Sequence, residues 1–295
     1  MTPTISVLLP VYNGQTHLKQ AIDSILNQSY QDFELIIVND GSTDGTLDLI
    51  RSYSDKRIVL INQKNIGLSG ALNRAIKESR GRYLARQDHD DVSLPMRFEE
   101  QLRLMEAKSL DFCGCNILMI DEAGNPMQRV DMPNTPDLIT ITMACTVPFA
   151  HGSVMMRKAF VAQHSLRYQE WSSAEDYELW SEAYRLGAQF GNVDKVLFHY
   201  RDFSGSLSKI FTKNIQKHAH QLRRSFVKTN TRAVNAAIND LLPLQNHLKP
   251  RFAGFLLLAA YLLYRQSNAD VIFKVLLGAS LKNVAIAIAK LIRGF

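Results

Sequence analysis

A chain of 295 residues with 46% hydrophobic content can bury a substantial core in one large domain with an appendage. The spacing of its three cysteines, Cys113, Cys115 and Cys145, excludes a disulfide framework or a metal-ligand set and favours a reduced, cytosolic setting. The formal net charge is +6, and the first apolar run is a short strand rather than a secretion signal.

Strands and helices alternate over the first hundred residues. Apolar runs predict strands at 6–9, 35–38, 58–61 and 83–85. Helical spacing of apolar residues predicts helices at 18–26, 46–50 and 72–76. The alternation predicts an α/β fold, Rossmann-like, with a mostly parallel sheet flanked by helices, in which ligands bind beyond the carboxyl ends of the strands.

The four loops that follow these strands are rich in Asn, Asp and Gly. They are Pro-Val-Tyr-Asn-Gly at 10–14, Asn-Asp-Gly-Ser-Thr-Asp-Gly at 39–45, Asn-Gln-Lys-Asn-Ile-Gly at 62–67 and Asp-His-Asp-Asp at 88–91. Each loop alone fits ordinary turn chemistry, because Gly permits positive φ and Asn or Asp form Asx turns. Four such loops at one sheet edge, one of them acidic, indicate a nucleotide pocket.

The acidic loop is the most informative of the four. It places three carboxylates, Asp88, Asp90 and Asp91, directly after an apolar strand. Crowded like charges are costly there unless a cation compensates them. Their oxygens suit Mg²⁺ or Mn²⁺ with positions left open for a substrate phosphate. A solvated acidic loop is the alternative reading of an isolated Asp-x-Asp.

Six short segments occur in one order along residues 3–208. They lie at 6–13, 38–44, 65–67, 85–91, 151–153 and 175–176. Together they resemble the family-2 glycosyltransferases of the GT-A fold, which transfer sugars from nucleotide diphosphates, here of the bacterial surface-polysaccharide type. The resemblance implies a catalytic domain at 1–208, with a nucleotide-binding half at 1–100 and an acceptor half at 101–208.

The resemblance also implies a role for each matching residue. The loop after the first strand and Asp40 would hold the nucleobase, normally uracil, and the segment from Asn65 would line the base and the ribose. The implied nucleotide-sugar residues are Pro10, Tyr12, Asn13, Asp40, Asn65, Gly67, Asp88, His89 and Arg201. Asp88 and Asp90 fall on the Asp-x-Asp motif that holds the metal (Mn or Mg), and Asp91 would orient them.

Asp176 matches the general base of the family. Attack at an anomeric carbon, opposite a diphosphate leaving group, needs one carboxylate at the acceptor hydroxyl, while a metal replaces the separate acid. The implied reaction is inverting, so an α-linked donor gives a β-glycoside. Glu175 and Asp176 also suit the start of a helix, because acidic side chains favour the helix N-terminus.

The acceptor side is implied by fewer residues. The family places a segment such as His151 and Ser153 by the acceptor or the diphosphate, although a His beside a strand is often structural. Trp171 and Trp180 could stack on acceptor sugars, with core packing the alternative for Trp180. Many relatives have a His where this chain has Phe203, so either Arg201 with Ser206 suffices for the diphosphate, or His199 or another group replaces that His.

Charge divides the chain near residue 208. Residues 1–208 contain 20 Lys and Arg against 26 Asp and Glu, whereas residues 209–295 contain 14 against 2. The net charges are therefore −6 and +12. A basic region indicates nucleic acid, an anionic membrane surface or a charged acceptor. Nucleic acid is disfavoured because the region lacks interleaved aromatic and basic residues.

Two apolar segments favour a membrane surface. Residues 252–264 form an unbroken apolar run that, as a helix, spans about 20 Å, less than the roughly 30 Å of a hydrocarbon core. Farther on, an apolar stripe faces away from most lysines, as in helices that lie in a membrane interface. The stripe is Phe273, Leu277, Leu281, Val284, Ile288 and Leu291. Packing on the catalytic domain and a dimer contact are the alternatives.

The sequence thus predicts an inverting, metal-assisted glycosyltransferase with a basic helical appendage at 209–295. The expected partners are a nucleotide-diphosphate sugar, most simply of UDP, and a glycan or lipid-linked acceptor. The expected location is the inner face of the cytoplasmic membrane. A sugar nucleotidyltransferase is disfavoured, since residues 10–15 contain no Lys or Arg to grip phosphates. A non-catalytic glycan-binding protein is disfavoured by the intact Asp88, Asp90 and Asp176.

Overall fold

A computed structural model of the chain describes residues 2–170, 174–202, 212–245 and 247–264. The chain divides into two compact units, Met1–Met132 with Phe149–Ser206, and Pro133–Pro148 with Leu207–Phe295. Residues 133–148 lie in the predicted acceptor half by sequence but group with the C-terminal residues. Trp171, Phe203, Ser206 and the stripe at 273–291 lie outside the described residues.

The first unit is built on one mixed sheet. Its strands are β1 (Ile5–Val11), β2 (Phe33–Asp40), β3 (Ile58–Gln63), β4 (Tyr83–Arg86), β5 (Val92–Ser93), β6 (Phe112–Ile120), β7 (Pro126–Val130), β8 (Met155–Arg157) and β9 (Phe190–Arg201). The spatial order is β3-β2-β1-β4-β8-β6-β9-β5, and β7 pairs with β6. The first four strands pair in parallel, as do β6 and β9, whereas β8 runs antiparallel between β4 and β6. The predicted α/β fold with a mostly parallel sheet is confirmed.

Helices flank this sheet and complete its core. They are α1 (Leu18–Leu26), α2 (Thr46–Arg51), α3 (Gly67–Glu78), α4 (Arg97–Ala107), α6 (Lys158–Gln163) and α7 (Glu175–Arg185). In α1 the buried side chains recur at helical spacing, and they join alternate residues of β1 in the main apolar cluster. Full burial of one such side chain contributes about 1.5–3 kcal/mol. Both faces of β1 and β2 are buried, which is why these strands are nearly continuous in apolar residues.

The second unit is helical. It contains α5 (Pro136–Met143), α8 (Thr212–Thr229), α9 (Thr231–Leu241) and α10 (Pro250–Tyr264). The Thr135 hydroxyl accepts a hydrogen bond from the Leu138 amide and caps α5, which has Pro136 in its first turn. The helix predicted at 252–264 is confirmed in α10, where residues 252–260 are buried. None of the helices in the described ranges is both long and apolar enough to cross a bilayer.

Candidate active site

The loops that follow β1 and β2 are joined by side-chain hydrogen bonds. Asn13 Oδ1 accepts from the Thr43 amide at 2.8 Å, and the Asn13 amide donates to Ser42 Oγ at 2.9 Å. Asn13 has a φ of +50°, in the left-handed region that Asn tolerates better than most residues. The neighbouring Tyr12 is 48% exposed, whereas Pro10 is buried in β1. The tyrosine ring is therefore accessible at this edge of the sheet.

Asp40 ends β2 and caps α3. Its carboxylate accepts from Gln63 Nε2 at 2.7 Å and from the amides of Ile66 and Gly67 at 3.0 and 2.9 Å. Asp40 is buried, and the exposed Asn65 also accepts from the Gly67 amide. Three predicted nucleotide residues therefore lie together. Most of the hydrogen-bonding capacity of the Asp40 carboxylate is satisfied within the fold.

The three carboxylates of the acidic loop differ in how far a neighbouring positive charge stabilises them. Asp88 forms an ion pair with the buried Arg86; burial alone would raise the pKa of Asp88, but Arg86 and then His151 hold it below the ordinary value. Burial, and then the charge of Asp88, raise the pKa of Asp90. The same causes, together with Asp90, raise the pKa of Asp91 well above the ordinary value. Arg86 thus forms an ion pair with one of the three carboxylates, while its charge acts more weakly on the other two.

Asp91 is the most deeply placed of the three carboxylates. Its side chain is buried, and Oδ1 accepts from the Arg201 amide at 2.7 Å. Its Oδ2 atom is also buried and has no hydrogen-bond partner among the residues that the structure describes. A buried carboxylate oxygen without a partner is costly, which marks this point of the site as incomplete without a ligand.

Arg201, at the end of β9, braces the acidic loop. Its guanidinium donates to the carbonyl oxygens of Asp90 at 2.8 Å and Glu122 at 2.8 Å, and to Gln20 Oε1 at 2.6 Å. The structure thus gives Arg201 a bracing role that the sequence analysis did not anticipate. Its contact with a diphosphate stays a prediction. His199, on the same strand, pairs with Val92 in the register of β9 and β5.

Two glycines let neighbouring segments approach the acidic loop closely. A Cβ atom at Gly14 would lie 2.6 Å from His89 Cδ2, so the His89 ring packs against the first loop. A Cβ atom at Gly152 would lie 2.7 Å from Asp88 Oδ2 and 3.0 Å from Asp91 Oδ2. Real Cβ atoms do not approach so closely, so a side chain at Gly14 would displace the His89 ring and one at Gly152 would displace the Asp88 carboxylate.

The 3₁₀ turn His151–Ser153 carries His151 to the site. His151 Nε2 lies 3.0 Å from the hydroxyl of the buried Tyr168, and Nδ1 lies 3.9 Å from Glu175 Oε1. Burial and the nearby Arg86 lower the pKa of His151 to about 3, so the imidazole is neutral at physiological pH. Ser153 is buried and its hydroxyl donates to the Ala150 carbonyl. The acceptor roles of His151 and Ser153 stay predictions.

Glu175 and Asp176 form the first turn of α7, as the sequence predicted. Asp176 Oδ1 accepts from the Tyr177 amide at 2.6 Å, and burial raises the pKa of Asp176. Burial, and then the charge of Asp176, raise the pKa of Glu175 to about 7. Trp180 packs edge-on against the rings of Phe112 and Phe149, which confirms core packing for this tryptophan.

Sequence reasoning missed the central cation of the site. Arg86 is 1% exposed and is the last residue of the apolar strand β4. It pairs with Asp88 and acts electrostatically on Asp91, Glu175, Asp176 and His151. Its place directly before three carboxylates was the available signal. A long cationic side chain at a strand end is commonly exposed, and only the fold shows it buried.

The site therefore combines groups that can bind anions with groups that can bind cations. An accessible aromatic ring and a capped loop lie beyond β1–β3, and carboxylates lie beyond β4 and at the start of α7. The buried Arg86 lies among these carboxylates. Within the described residues, no three His, Cys, Asp or Glu side chains form a metal cage by themselves. Such an arrangement suits a phosphate-bearing ligand together with a cation of which it supplies part of the shell.

Comparison with solved structures defines the fold class. The structure superposes on Staphylococcus aureus TarS 1–349 in complex with UDP-GlcNAc with a TM-score of 0.61 and 18% identity, covering 92% of this chain and 90% of the TarS 1–349 chain. It also superposes on the mannosyltransferase PcManGT of Pyrobaculum calidifontis in complex with GDP-Man and Mn²⁺, with a TM-score of 0.58 and 14% identity. That superposition covers 99% of this chain and 88% of PcManGT. At these identities the likeness concerns the fold, which is that of the GT-A enzymes.

Comparison of sequences defines the family. The family model described as glycosyl transferase family 2 matches residues 6–165. EpsE of Bacillus subtilis is 34% identical over 216 residues, which are 70% of this chain and 76% of EpsE. The O-antigen biosynthesis glycosyltransferase WbnJ of Escherichia coli is 32% identical over 232 residues, 77% of this chain and 90% of WbnJ. The chain belongs to glycosyltransferase family 2, and the protein is a glycosyltransferase that acts on a nucleotide sugar.

Proposed function

We propose that this protein is an inverting, metal-assisted glycosyltransferase that moves a sugar from a nucleotide diphosphate to a glycan or lipid-linked polysaccharide precursor. One observation carries the proposal. Asp90 and the buried Asp91, whose pKa values are raised, follow the carboxyl end of a parallel strand beside the buried Arg86, and Asp91 Oδ2 has no hydrogen-bond partner among the described residues. Ligands of such sheets bind at this edge.

The donor set fits a divalent cation. Asp90 and Asp88 would hold it, with Asp91 behind them, because carboxylate oxygens are the ligands that Mg²⁺ and Mn²⁺ prefer. These ions bind proteins through one or two carboxylates plus substrate phosphates, so a complete protein cage is not required. When bound, the ion neutralises charge that develops on the diphosphate leaving group. The complex of PcManGT with GDP-Man and Mn²⁺ supports this assignment.

Asp176 is the proposed general base for the acceptor hydroxyl. Asp176 lies in the first turn of α7, which holds it rigidly. Its raised pKa is closer to the operating pH, where a general base is most effective. The metal-side carboxylates belong to a different loop. This separation of the two sets of carboxylates supports attack from the face opposite the leaving group, and hence inversion.

UDP is the proposed nucleotide, because Tyr12, Asn13, Asp40 and Asn65 match the family residues that hold uracil. TarS was solved with UDP-GlcNAc and PcManGT with GDP-Man, so both nucleotides belong in a test. WbnJ is an O-antigen biosynthesis enzyme, which supports a surface-polysaccharide precursor as acceptor.

The basic C-terminal region is proposed to hold the enzyme at the inner face of the cytoplasmic membrane. Residues 209–295 contain 14 Lys and Arg against 2 Asp and Glu, and Arg224, Lys228 and Arg232 are exposed. Each such side chain near an anionic surface contributes on the order of 1 kcal/mol. Flotation of the full chain with anionic liposomes should decrease at high salt. Equal flotation with neutral liposomes would contradict this part of the proposal.

A panel of UDP and GDP sugars, each with Mn²⁺, Mg²⁺ or a chelator, tests the reaction. We expect release of the free nucleotide diphosphate from at least one donor in the presence of metal and a polysaccharide-precursor acceptor, and no release with the chelator. Product anomeric configuration by NMR tests inversion. Full activity in the presence of the chelator would contradict the proposed metal dependence. Retention of the anomeric configuration would contradict the proposed role of Asp176 as general base.

A further inference from the structure

A buried arginine under the acidic loop organises two buried glutamines. Arg97 is 0% exposed, and burial lowers its pKa to about 10, which keeps it cationic at neutral pH. Its Nη1 donates to Gln87 Oε1 at 3.1 Å and to Ser93 Oγ at 2.7 Å, and its Nε donates to Gln101 Oε1 at 3.1 Å. Its Nη2 donates to the Arg86 carbonyl at 2.7 Å. Arg97 therefore connects the end of β4 with both glutamines.

The orientation of the Gln87 amide follows from these partners. Arginine only donates hydrogen bonds, so the side-chain oxygen of Gln87 must face Arg97 and its nitrogen must face away. Gln87 Nε2 donates to the Asp88 carbonyl at 2.9 Å and to the Asp91 carbonyl at 3.0 Å. Ser93 Oγ donates to Gln87 Oε1 at 2.7 Å, so every polar atom of the amide is bonded. One amide thereby ties together both ends of the acidic loop.

We propose that Gln87 is a positioning residue for donor binding, a role that rests on the proposed function. By bonding the carbonyls of Asp88 and Asp91, its amide holds the backbone of the loop so that the carboxylates of Asp88 and Asp90 converge on the metal and diphosphate. Binding groups must be held within about 0.5 Å of their productive positions. Loss of both bonds should therefore weaken the binding of a metal–nucleotide complex by 10-fold or more.

Gln101 provides a matched control. It is equally buried, it accepts from the same Arg97, and its Nε2 also donates to two carbonyls, those of Cys113 at 2.7 Å and Ser153 at 2.8 Å. Removing either amide should cost a similar amount of stability, because each change leaves two buried carbonyls short of a donor. The two glutamines differ in that only Gln87 bonds the acidic loop.

The test compares Gln87→Met with Gln101→Met in the full chain. Unfolding without ligand is measured by urea titration, and the Kd of UDP and of GDP with MnCl₂ is measured by calorimetry. We expect similar losses of stability, a Kd raised at least 10-fold in Gln87→Met, and a Kd raised less than 3-fold in Gln101→Met. Equal weakening in both variants, or a wild-type Kd in Gln87→Met, would overturn the proposal.

Gln87→Asn and Gln101→Asn keep the experiment decisive if a methionine variant does not fold. Asparagine retains the amide but is one methylene too short to reach both loop carbonyls. We again expect a larger rise in Kd for the Gln87 variant than for the Gln101 variant, and equal Kd values would overturn the proposal. If the wild-type protein binds neither nucleotide with Mn²⁺, the proposed function fails. Tight wild-type binding without an effect of Gln87 refutes this inference alone.

Discussion

Two parts of the same sheet edge differ in how far their charges are satisfied. Beyond β1–β3, Asn13 and Asp40 have their side-chain oxygens bonded to neighbouring backbone amides. Beyond β4 and at the start of α7, five crowded carboxylates repel one another; four of them have raised pKa values, and Arg86 forms an ion pair with the fifth, Asp88. The first region is complete as it folds, whereas the second retains charge repulsion that a cationic ligand would relieve.

This difference separates the energetics of folding from those of catalysis. Residues of the satisfied region should contribute to stability and to binding together. Residues of the uncompensated region should contribute to activity while lowering stability, as expected where a site stores electrostatic strain. Each variant below is therefore assayed both for unfolding and for transfer.

The largest effect is expected from Asp90→Ala. Transfer should fall by several orders of magnitude, because a metal ligand and its charge are lost together. The free energy of unfolding should stay level or rise, since one of three crowded carboxylates is gone. Nucleotide-diphosphate release and urea unfolding measure the two quantities. As a control, Asp55→Ala removes a surface carboxylate paired with Arg57 and should leave transfer unchanged. Wild-type turnover in Asp90→Ala would refute the assignment of the loop.

Asp176→Asn should lower kcat by roughly 100-fold or more, the range for losing a general base, while the Kd for the donor stays near that of the wild-type protein. Asparagine keeps the acceptor atom for the Tyr177 amide, so the start of α7 should persist. Calorimetry gives the donor Kd and single-turnover kinetics give the chemical step. Loss of donor binding would instead make Asp176 a structural residue.

Asp40→Asn tests the region beyond β1–β3, where the side-chain oxygens are already hydrogen-bonded. The new amide NH₂ would face the amides of Gly67 or Ile66, or displace the bond from Gln63, so the free energy of unfolding should drop by about 2 kcal/mol. Asp90→Asn, an equal change in the uncompensated loop, should cause no such loss. Paired denaturant titrations measure both. Equal stability of the two variants would remove the distinction between the regions.

Glu175→Gln should change how stability depends on pH. The pKa of Glu175 is about 7 in the folded chain and about 4.5 when exposed, so between these values the folded state binds more protons. The contribution of Glu175 to the free energy of unfolding therefore decreases as pH rises from 4.5 to 7, whereas that of His151, whose pKa is lowered, increases over part of this range. Glutamine cannot ionise, so the variant should be more stable at pH 8 by about 1–3 kcal/mol.

The control for this change is Glu182→Gln on the same helix, where the carboxylate pairs with Arg185 at the surface. It should leave the wild-type pH dependence of the free energy of unfolding between pH 4.5 and 7 unchanged. If Glu175→Gln shows the wild-type pH slope, the Glu175 carboxylate is not held in its protonated form by the fold.

Much of the first unit could be predicted from the sequence, because its signals are local. Apolar runs marked β1–β4, and helical spacing marked α1 to the residue. The acidic cluster at 88–91 and the helix start at Glu175 are visible in a short window of the sequence. The roles of Asp40, Asp88 and Asp176 came from the resemblance to the family and stay predictions.

What escaped the sequence depends on contacts between distant segments. Arg86 and Arg97 are charged residues that are commonly exposed, and only the packed sheet shows them buried among carboxylates and amides. The bracing role of Arg201 joins residues 181 positions apart, as in its bond to Gln20. The grouping of residues 133–148 with the C-terminal unit is likewise a tertiary property.

Thermal unfolding with and without MnCl₂ and UDP or GDP tests the uncompensated loop most directly. A ligand at 100 times its Kd stabilises a folded protein by about 2.7 kcal/mol, which is readily seen as a rise in Tm. We expect Mn²⁺ with one of these nucleotides to raise the Tm of the wild-type chain and to leave that of Asp90→Ala unchanged. An equal rise in both proteins, or no rise in the wild-type chain with either nucleotide, would contradict it.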